Sequence, residues 1–308
     1  MRFSVIIPVY NKADTICSAV ESIYSQTFND YEIIIVNDGS SDNLDEALFS
    51  INGPKLRLIN QNNGGVSVAR NTGVSNARGD YVCFLDADDL WKPNHLEILN
   101  GLIEKYPKSE AFVTSHEVVL PNENSIHSSH ELKDYDEDFE TDDFLGLLNS
   151  TSYSVVHTNS VCAKREMLKK NGIRFEPGIK IGEDTDVWYR LGLKNNVAVS
   201  KIETTVYRRE FSTATRQSFH VQNWIFCFRL ADILSDNEIS DKKKDSVLNL
   251  IDRYKMTSSR EYMLDRDRKK AKEVLSEVRY KKGKRYILTL IFTFLPYPLC
   301  ELLLNNRY

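Results

Sequence analysis

Three aspartates follow the apolar run at residues 81–85, in the segment Asp86-Ala87-Asp88-Asp89. Residues two apart in an extended segment share a face, so the Asp86 and Asp88 carboxylates are expected to point together. Two hard oxygen ligands at the mouth of a crevice suit Mg²⁺ or Mn²⁺ that retains water and binds phosphate oxygens. A solvated turn is the alternative, but a site is favoured because the triplet ends a predicted strand.

A second acidic motif, Gly182-Glu183-Asp184, opens a predicted helix that also carries Trp188. Asp184 is a candidate general base, provided that it lies in the crevice. The alternative is an acid that only caps the helix, where the helix dipole favours negative charge.

Tyr10 and Asp38 follow the first two apolar, β-branched runs of the chain. Ligands of open α/β sheets bind at the carboxyl ends of the strands, where both residues are expected. The Asp38 carboxylate can accept a hydrogen bond from a base or a ribose. The alternatives are a packing tyrosine and a turn aspartate.

Gly64 and Gly65 lead into a predicted helix that carries Arg70. A glycine-led turn at a helix start is suited to a diphosphate, and Arg70 adds positive charge. The segment matches neither the dinucleotide-binding nor the P-loop pattern. Arg208 is a further candidate for a phosphate contact, with a solvated basic strand edge as the alternative.

Strand and helix patterns alternate along the first 90 residues and are less regular beyond them, which predicts an α/β fold with a mainly parallel sheet. Asp14 is expected to cap the first helix, and the acidic segment Glu131–Asp143 is expected to be a solvated loop or flap. The predicted strands are 3–9, 31–36, 55–59, 80–85, 111–120, 155–163 and 197–207. The predicted helices of this part include 66–76, 93–106, 141–149, 165–171 and 184–193.

Helical patterns dominate after residue 215, which predicts one domain at 1–215 and a helical C-terminal region at 216–308.

The composition, 41% hydrophobic and 27% charged, is that of a globular protein. The five cysteines are scattered, which argues against a disulfide framework or a zinc site and for a reducing compartment. The first apolar run is short and contains Pro8, so it is interpreted as a buried strand rather than a signal peptide, and a cytoplasmic protein is expected.

Positive charge is concentrated near the C-terminus. Residues Arg253–Arg285 hold 13 Lys and Arg against 5 Asp and Glu, a local charge of +8 in a chain of net charge −4. An uncharged stretch, Tyr286–Cys300, follows and is interrupted by two prolines. A basic segment beside an apolar one is expected to lie on an anionic membrane surface. A helix docked on the rest of the protein or a dimer contact is the alternative; no nucleic-acid motif is present.

Five motifs occur in an order that resembles the signature of family 2 glycosyltransferases, whose catalytic domain has the GT-A fold. The motifs are Val5–Asn11, Glu32–Asp42, Gly65–Asn71, Asp86–Asp89 and Gly182–Asp184. The resemblance covers about residues 3–210 and implies a GT-A catalytic domain at 1–215 with a C-terminal helical extension.

The resemblance also implies roles for individual residues. Tyr10 would pack on the nucleotide base, Asp38 would bind uracil, and Arg70 would contact the base or the diphosphate. Asp86 and Asp88 would hold the ribose and the metal, with the metal on Asp88, and Asp184 would be the catalytic base. Pro8 joins the nucleotide-sugar site, and Glu183, Trp188 and Arg208 are further candidates.

The implied function is that of an inverting glycosyltransferase with Mn²⁺ or Mg²⁺ as cofactor. The donor would be a nucleotide-diphosphate sugar, expected to be UDP-linked, and the acceptor a saccharide or lipid-linked saccharide of cell-surface polysaccharide synthesis. No nucleic-acid partner is expected, and self-association is left open.

Two other classes of protein remain. A nucleotidyltransferase that makes sugar nucleotides shares the α/β layout but needs a basic triphosphate-binding signature near the first strand, where this chain has Pro-Val-Tyr-Asn. A non-catalytic carbohydrate-binding or scaffold protein would retain only a degenerate site, whereas Asp38, Asp86, Asp88 and Asp184 are all present.

Overall fold

Continuous apolar strands occupy the centre of the N-terminal part, because helices cover both faces of their sheet. The computed structural model describes residues 1–51, 53–121, 124–135, 137–151, 155–179, 182–209 and 229–305. The Cα positions divide the chain into two compact units, Met1–Thr213 and Ala214–Tyr308. The predicted boundary at residue 215 lies outside the described residues.

The strands of the first unit form a mixed sheet of ten among the described residues, in the order β3-β2-β1-β4-β9-β6-β10-β5, with β7 on β6 and β8 on β10. β3, β2, β1 and β4 are mutually parallel, and β9 joins the two halves by antiparallel pairing with β4 and β6. The strands are β1 (Phe3–Val9), β2 (Tyr31–Asn37), β3 (Leu56–Asn60), β4 (Tyr81–Phe84), β5 (Leu90–Trp91), β6 (Ala111–Val119), β7 (Ser125–His127), β8 (Phe139–Thr141), β9 (Val161–Lys164) and β10 (Val197–Arg208).

Helices flank this sheet and bury its apolar side chains. Phe3, Ile7 and Ile33 are completely buried and pack with Ile16 and Val20 of the first helix. The helices are α1 (Ala13–Tyr24), α2 (Leu44–Ser50), α3 (Val66–Asn76), α4 (His95–Lys105), α5 (Phe144–Ser150), α6 (Arg165–Lys170) and α7 (Glu183–Lys194). The predicted fold class, a mixed and mainly parallel sheet flanked by helices, is confirmed.

Three local predictions were wrong. The strand predicted at 155–163 begins only at Val161, after a 3-10 turn at Thr158–Ser160. Asp14 lies inside the first turn of α1, and the N-cap is Lys12. The acidic segment Glu131–Asp143 is not only a loop, because it contains β8, which pairs antiparallel with β10. The ring of Phe139 stacks on Tyr135 at 3.8 Å, and the Glu140 carboxylate accepts hydrogen bonds from other elements, so tertiary contacts stabilise a strand too short to show a pattern.

The described part of the second unit is helical. Its helices are α8 (Leu230–Ser235), α9 (Asp241–Leu264), α10 (Arg268–Ser276), α11 (Lys284–Phe292) and α12 (Tyr297–Asn305). Met263, Ala271, Phe292 and Cys300 form its small apolar cluster. Among the described ranges, no helix has both the length and the apolar character needed to cross a bilayer.

Candidate functional site

The carboxyl ends of β1 and β2 are joined through the turns that follow them. Asn11 has a positive φ of 52°, and its side-chain oxygen accepts a hydrogen bond from the Ser41 backbone at 2.8 Å. Its own N–H donates to Ser40 Oγ. Tyr10, just before this turn, is 51% exposed, whereas Pro8 is half-buried within β1. The Tyr10 ring is therefore accessible to a flat ligand at the sheet edge.

Asp38 is almost fully buried at the end of β2 and binds the glycine turn. Its carboxylate accepts hydrogen bonds from Gln61 Nε2 (2.7 Å), Gly64 N (2.9 Å) and Gly65 N (2.8 Å). Gly65 has a φ of +86°, a conformation that glycine adopts without strain. Asp38 thus shapes the entry into α3, and the two glycine amides expected to cradle a diphosphate point to Asp38 instead. Its predicted contact with uracil stays a prediction.

The N-terminal half of α3 contains two buried polar atoms with no hydrogen-bond partner among the described residues. These atoms are Ser67 Oγ and Arg70 Nε. A buried polar group is nearly always paired, because leaving it unpaired costs about 1–3 kcal/mol. The position, at the N-terminal end of a helix, is one where an anionic ligand is favoured.

Arg70 connects the two acidic motifs. Its Nη2 lies 2.8 Å from Asp86 Oδ1, and its Nη1 lies 3.0 Å from Glu183 Oε1. The guanidinium also lies over the ring of Phe175, 5.2 Å from the centroid. Burial lowers the pKa of Arg70, but Asp86, Glu183 and Asp184 raise it by more, so the guanidinium stays charged. A single buried cation therefore brings the start of α7 to the edge that carries Asp86.

Asp184 lies one residue beyond Glu183 and is half-buried. Its Oδ2 accepts a hydrogen bond from Thr158 Oγ1 at 2.7 Å, and its Oδ1 accepts one from the Thr185 backbone at 2.6 Å. Burial raises the pKa of Asp184, but the charge of Arg70 and the Thr158 hydrogen bond lower this pKa by a larger amount. The net shift is therefore downward. Asp184 is thus ionised at neutral pH and can accept a proton.

Glu183 has the opposite shift. Burial and the neighbouring Asp184 charge raise the pKa of Glu183, although Arg70 opposes them. The two adjacent carboxyl groups therefore differ in proton affinity, with Asp184 the one that ionises first. Such a separation within a pair identifies the stronger candidate for a base that is deprotonated in the resting enzyme.

Asp88 is paired with a lysine that sequence reasoning missed. Lys12 Nζ lies 2.7 Å from Asp88 Oδ2, and both side chains are mostly buried. Lys12 precedes α1 and showed no motif of its own in the sequence. Thr158 was missed for a similar reason, since it lies in a short 3-10 turn, Thr158–Ser160, in an irregular region.

Arg208 supports the turn that carries Asp88. Its Nε donates to the Asp88 carbonyl at 2.6 Å, and its backbone N–H donates to Asp89 Oδ1 at 3.0 Å. Asp89 is buried, and burial raises its pKa well above the ordinary range. Asn159 Nδ2 donates to the other Asp89 oxygen. These contacts make Arg208 a positioning residue, while its predicted phosphate contact stays a prediction.

Trp188 is placed in the core rather than at the sheet edge. Its side chain is 3% exposed, and its ring lies 5.5 Å from that of Phe84 and 5.7 Å from that of Phe175. The ring therefore positions α7 against β4. A direct contact between Trp188 and a nucleotide sugar has no support in this geometry.

The residues at the edge fit a divalent cation. Asp88 and Asp86 each use one oxygen in an ion pair, and within the described chain the other oxygen of each has no partner. Carboxylate oxygens are the ligands that Mg²⁺ and Mn²⁺ prefer. A separate group, Glu117, His127 and Glu203, has ligand atoms within 4.8 Å of one another in the described residues and includes neither aspartate.

Comparison with known proteins finds relatives among glycosyltransferases. The family model described as Glycosyl transferase family 2 matches residues 4–162. An uncharacterized glycosyltransferase of Rickettsia typhi is 30% identical over 188 residues, which are 61% of this chain and 57% of that protein. The uncharacterized glycosyltransferase YibD of Escherichia coli is 48% identical over 100 residues, 32% of this chain and 29% of that protein. The chain thus spans little more than half of the Rickettsia relative.

Two solved structures share the fold. Residues 1–349 of TarS from S. aureus, in complex with UDP-GlcNAc, align with a TM-score of 0.69 and 20% identity over 94% of this chain and 80% of that one. The mannosyltransferase PcManGT of Pyrobaculum calidifontis, in complex with GDP-Man and Mn²⁺, aligns with a TM-score of 0.60 and 18% identity over 97% and 82%. Because the sequence identities are 20% and 18%, these two alignments show a shared fold and nothing more specific.

Proposed function

Because the chain belongs to glycosyl transferase family 2, we propose that it transfers a sugar from a nucleotide-diphosphate sugar, UDP-linked, to a hydroxyl group of an acceptor, with inversion at the anomeric carbon. The observation that carries the proposal is the Arg70 bridge, which joins Asp86 at the strand edge to the acidic start of α7. The donor-binding and proton-accepting groups are thereby held beside each other. The UDP-GlcNAc and UDP bound by TarS support this donor class.

The donor would lie along the carboxyl ends of β1, β2 and β4. Tyr10 offers an exposed ring for the base, and Asp38 holds the turn beside it. Ser67 and Arg70 would supply donors at the start of α3 for the diphosphate, which the unpaired Ser67 Oγ and Arg70 Nε support. Asp86 would bind the ribose directly or assist through water.

Asp184 would act as the general base. In the proposed step the acceptor oxygen bonds to the anomeric carbon on the face opposite the diphosphate, and the acceptor proton passes to an Asp184 oxygen. The bond between the anomeric carbon and the diphosphate oxygen breaks, and the nucleoside diphosphate leaves with that electron pair. Thr158 holds the carboxylate in place during the transfer.

Asp88 would hold the Mn²⁺ or Mg²⁺ ion of this proposal. When bound, the ion would neutralise charge that develops on the leaving diphosphate. The Mn²⁺ in the PcManGT structure supports a divalent cation in this fold. Lys12 would then share Asp88 with the ion or move to the phosphate.

The proposed acceptor is a saccharide or lipid-linked saccharide of cell-surface polysaccharide synthesis. The proposed location is cytoplasmic, with the enzyme peripheral to the inner face of the membrane. The two-unit division supports a catalytic domain at 1–215 and a separate helical region at 216–308.

The test is incubation of the protein with labelled UDP-sugars and Mn²⁺, with wild type compared with Asp184→Asn. We expect release of UDP and of the labelled sugar, by hydrolysis or transfer, and a loss of about 10²–10⁴-fold in rate in the variant. Release of pyrophosphate from a nucleoside triphosphate and a sugar phosphate would instead identify a nucleotidyltransferase. No turnover and no nucleotide-sugar binding would overturn the transferase proposal in favour of a scaffold.

A further inference from the structure

Helix α11 and the residue after it bury Thr289, Phe292 and Thr293, whereas the isoleucine and leucine side chains of the helix are exposed. Thr289 and the adjacent Thr293 are completely buried, and Thr289 Oγ1 accepts hydrogen bonds from Arg260 Nη2 at 2.7 Å and Nε at 3.0 Å. Ile287 and Ile291, on the other side, are 51% and 52% exposed. A helix on the surface of a water-soluble domain normally has the reverse arrangement.

The outward side chains recur at the spacing of one helix face. Ile287, Leu290 and Ile291 stand at positions i, i+3 and i+4 of α11, and residues at these spacings are neighbours on a helix surface. The apolar exposure continues into α12. The large apolar side chains exposed in this region are Ile287, Leu288, Leu290, Ile291, Phe294, Leu299, Leu302 and Leu303. We call this set the C-terminal apolar face. A concentration of exposed large apolar side chains in one region is a mark of an interaction surface.

Lysines lie at the beginning of α11, at one end of the C-terminal apolar face. Lys281, Lys282 and Lys284 are exposed, and none forms an ion pair with another described residue. The first turn of α11 holds no acidic residue. The N-terminal end of a helix carries a partial positive charge, so these lysines add to positive charge that no acidic residue of the first turn offsets.

Two of these lysines, Lys282 and Lys284, border a cavity of about 360 Å³ together with Arg285. Tyr280 and Tyr286 also line it, together with Asp252, whose carboxylate is paired with Arg279 at 3.1 Å. The one described acidic group of the lining is therefore already neutralised. The cavity presents an excess of positive charge beside the apolar face.

We propose that the C-terminal apolar face docks on an anionic phospholipid membrane, with α11 parallel to the bilayer plane and Lys281, Lys282 and Lys284 among the headgroups. Amphipathic segments with this division of apolar and basic side chains bind at the bilayer interface. The headgroups of an anionic lipid complement the charge of the lysines, and its acyl chains complement the C-terminal apolar face. A second copy of the chain would instead bring like charges together, and a nucleic acid would leave the apolar side chains in water.

This docking surface would hold the proposed transferase at the membrane location given above, and only in that respect does the inference rest on the proposed function. Its test measures binding and not turnover, so either proposal can fail without the other. The full-length protein is floated with phosphatidylglycerol vesicles and, separately, with phosphatidylcholine vesicles, at low and at high salt. We expect binding to the anionic vesicles that weakens as salt rises, because charge screening shortens the range of attraction.

Two variants test the two parts of the surface. Ile287→Asp with Ile291→Asp removes apolar contact, and Lys281→Glu with Lys282→Glu and Lys284→Glu reverses the charge. Each combination should lower the vesicle partition coefficient by about tenfold or more, since each basic residue near an anionic surface contributes measurably to binding. Phe49→Asp is the matched control, because Phe49 is 87% exposed on α2 of the other unit, and its binding should equal that of wild type.

Circular dichroism and the unfolding temperature check that the variants remain folded, as expected for substitutions of exposed side chains. If wild type stays unbound with anionic vesicles at low salt, or if folded variants bind as wild type does, the membrane proposal is wrong. A dimer in sedimentation that the Ile287→Asp, Ile291→Asp variant dissociates, without vesicle binding, would assign the face to self-association instead.

Discussion

Lys12 Nζ lies 2.7 Å from Asp88 Oδ2, so the carboxylate proposed to hold the metal ion is paired with a lysine from the start of α1. The pair is mostly buried, so the two charges interact more strongly than at an exposed site. A divalent cation must compete with this ammonium for Asp88 or share the carboxylate with it. The affinity for the cation therefore depends on Lys12 as well as on the aspartates.

Lys12→Met should tighten Mn²⁺ binding in the absence of nucleotide, because it removes the competing positive charge. We expect the Mn²⁺ dissociation constant to fall by about tenfold, as an interaction of about 1.4 kcal/mol requires. Isothermal titration calorimetry measures this constant directly. Lys55→Met is the control, because Lys55 interacts with Asn29 and the Tyr31 ring and should leave Mn²⁺ binding unchanged.

Asp88→Asn should abolish metal-stimulated turnover while leaving the fold intact. The carboxylate is at the sheet edge and contributes little to the apolar core, so the unfolding temperature should stay near that of wild type. Rates at increasing Mn²⁺ concentration give the comparison. The matched control is Asp45→Asn, an exposed carboxylate on α2. Mn²⁺-stimulated turnover that persists in Asp88→Asn would contradict the metal assignment.

The pH dependence of kcat should follow the lowered pKa of Asp184. The deprotonated base is lost only as pH falls through that pKa, so the acid limb should lie below the ordinary aspartate value of 3.8. Thr158→Val removes a hydrogen bond that favours the charged form, so it should raise the pKa and move the acid limb to higher pH. Thr257→Val is the control, because Thr257 is exposed on α9, and it should leave the profile unchanged. An unmoved limb in Thr158→Val would mean that Asp184 does not set it.

Arg70→Met should destabilise the first unit and also stop turnover. It leaves Asp86 and the largely buried Glu183 without their cation, and breaking a buried ion pair costs about 3–5 kcal/mol. Denaturant unfolding measures the loss. Lys255→Met breaks an ion pair with the half-exposed Glu277 and should cost less than about 1 kcal/mol. Equal losses in the two variants would show that the Arg70 bridge contributes no more than a surface pair.

Tyr10→Ala should weaken nucleotide binding more than it slows chemistry, because stacking on a base acts alike in the ground and transition states. Loss of base stacking is worth about 1–3 kcal/mol, so the dissociation constant for UDP should rise by about tenfold or more. Phe49→Ala, an exposed aromatic elsewhere in the unit, is the control. A fall in kcat with unchanged UDP affinity would rule out the stacking role.

Much of the fold was predictable from local sequence. β1 and α3 have the bounds predicted for them, Phe3–Val9 and Val66–Asn76, and β2 differs by one residue. A strand buried on both faces must be apolar throughout, and a helix beside a sheet shows its own period, so these elements are visible in contiguous residues. Tyr10, Asp38 and Asp86 were identifiable as edge residues for the same reason, since each lies within two residues of the end of such a strand.

The pairing of charged residues was decided by the tertiary structure. Lys12 and Asp88 are 76 residues apart, and Arg70 and Glu183 are 113 apart. The turn role of Asp38 and the core position of Trp188 also depend on neighbours distant in sequence. The spacing of apolar residues along a helix or strand indicates which face of that element a residue occupies. Which element lies against that face depends on strand order and helix packing, because these contacts form only when distant segments bury their apolar surfaces together.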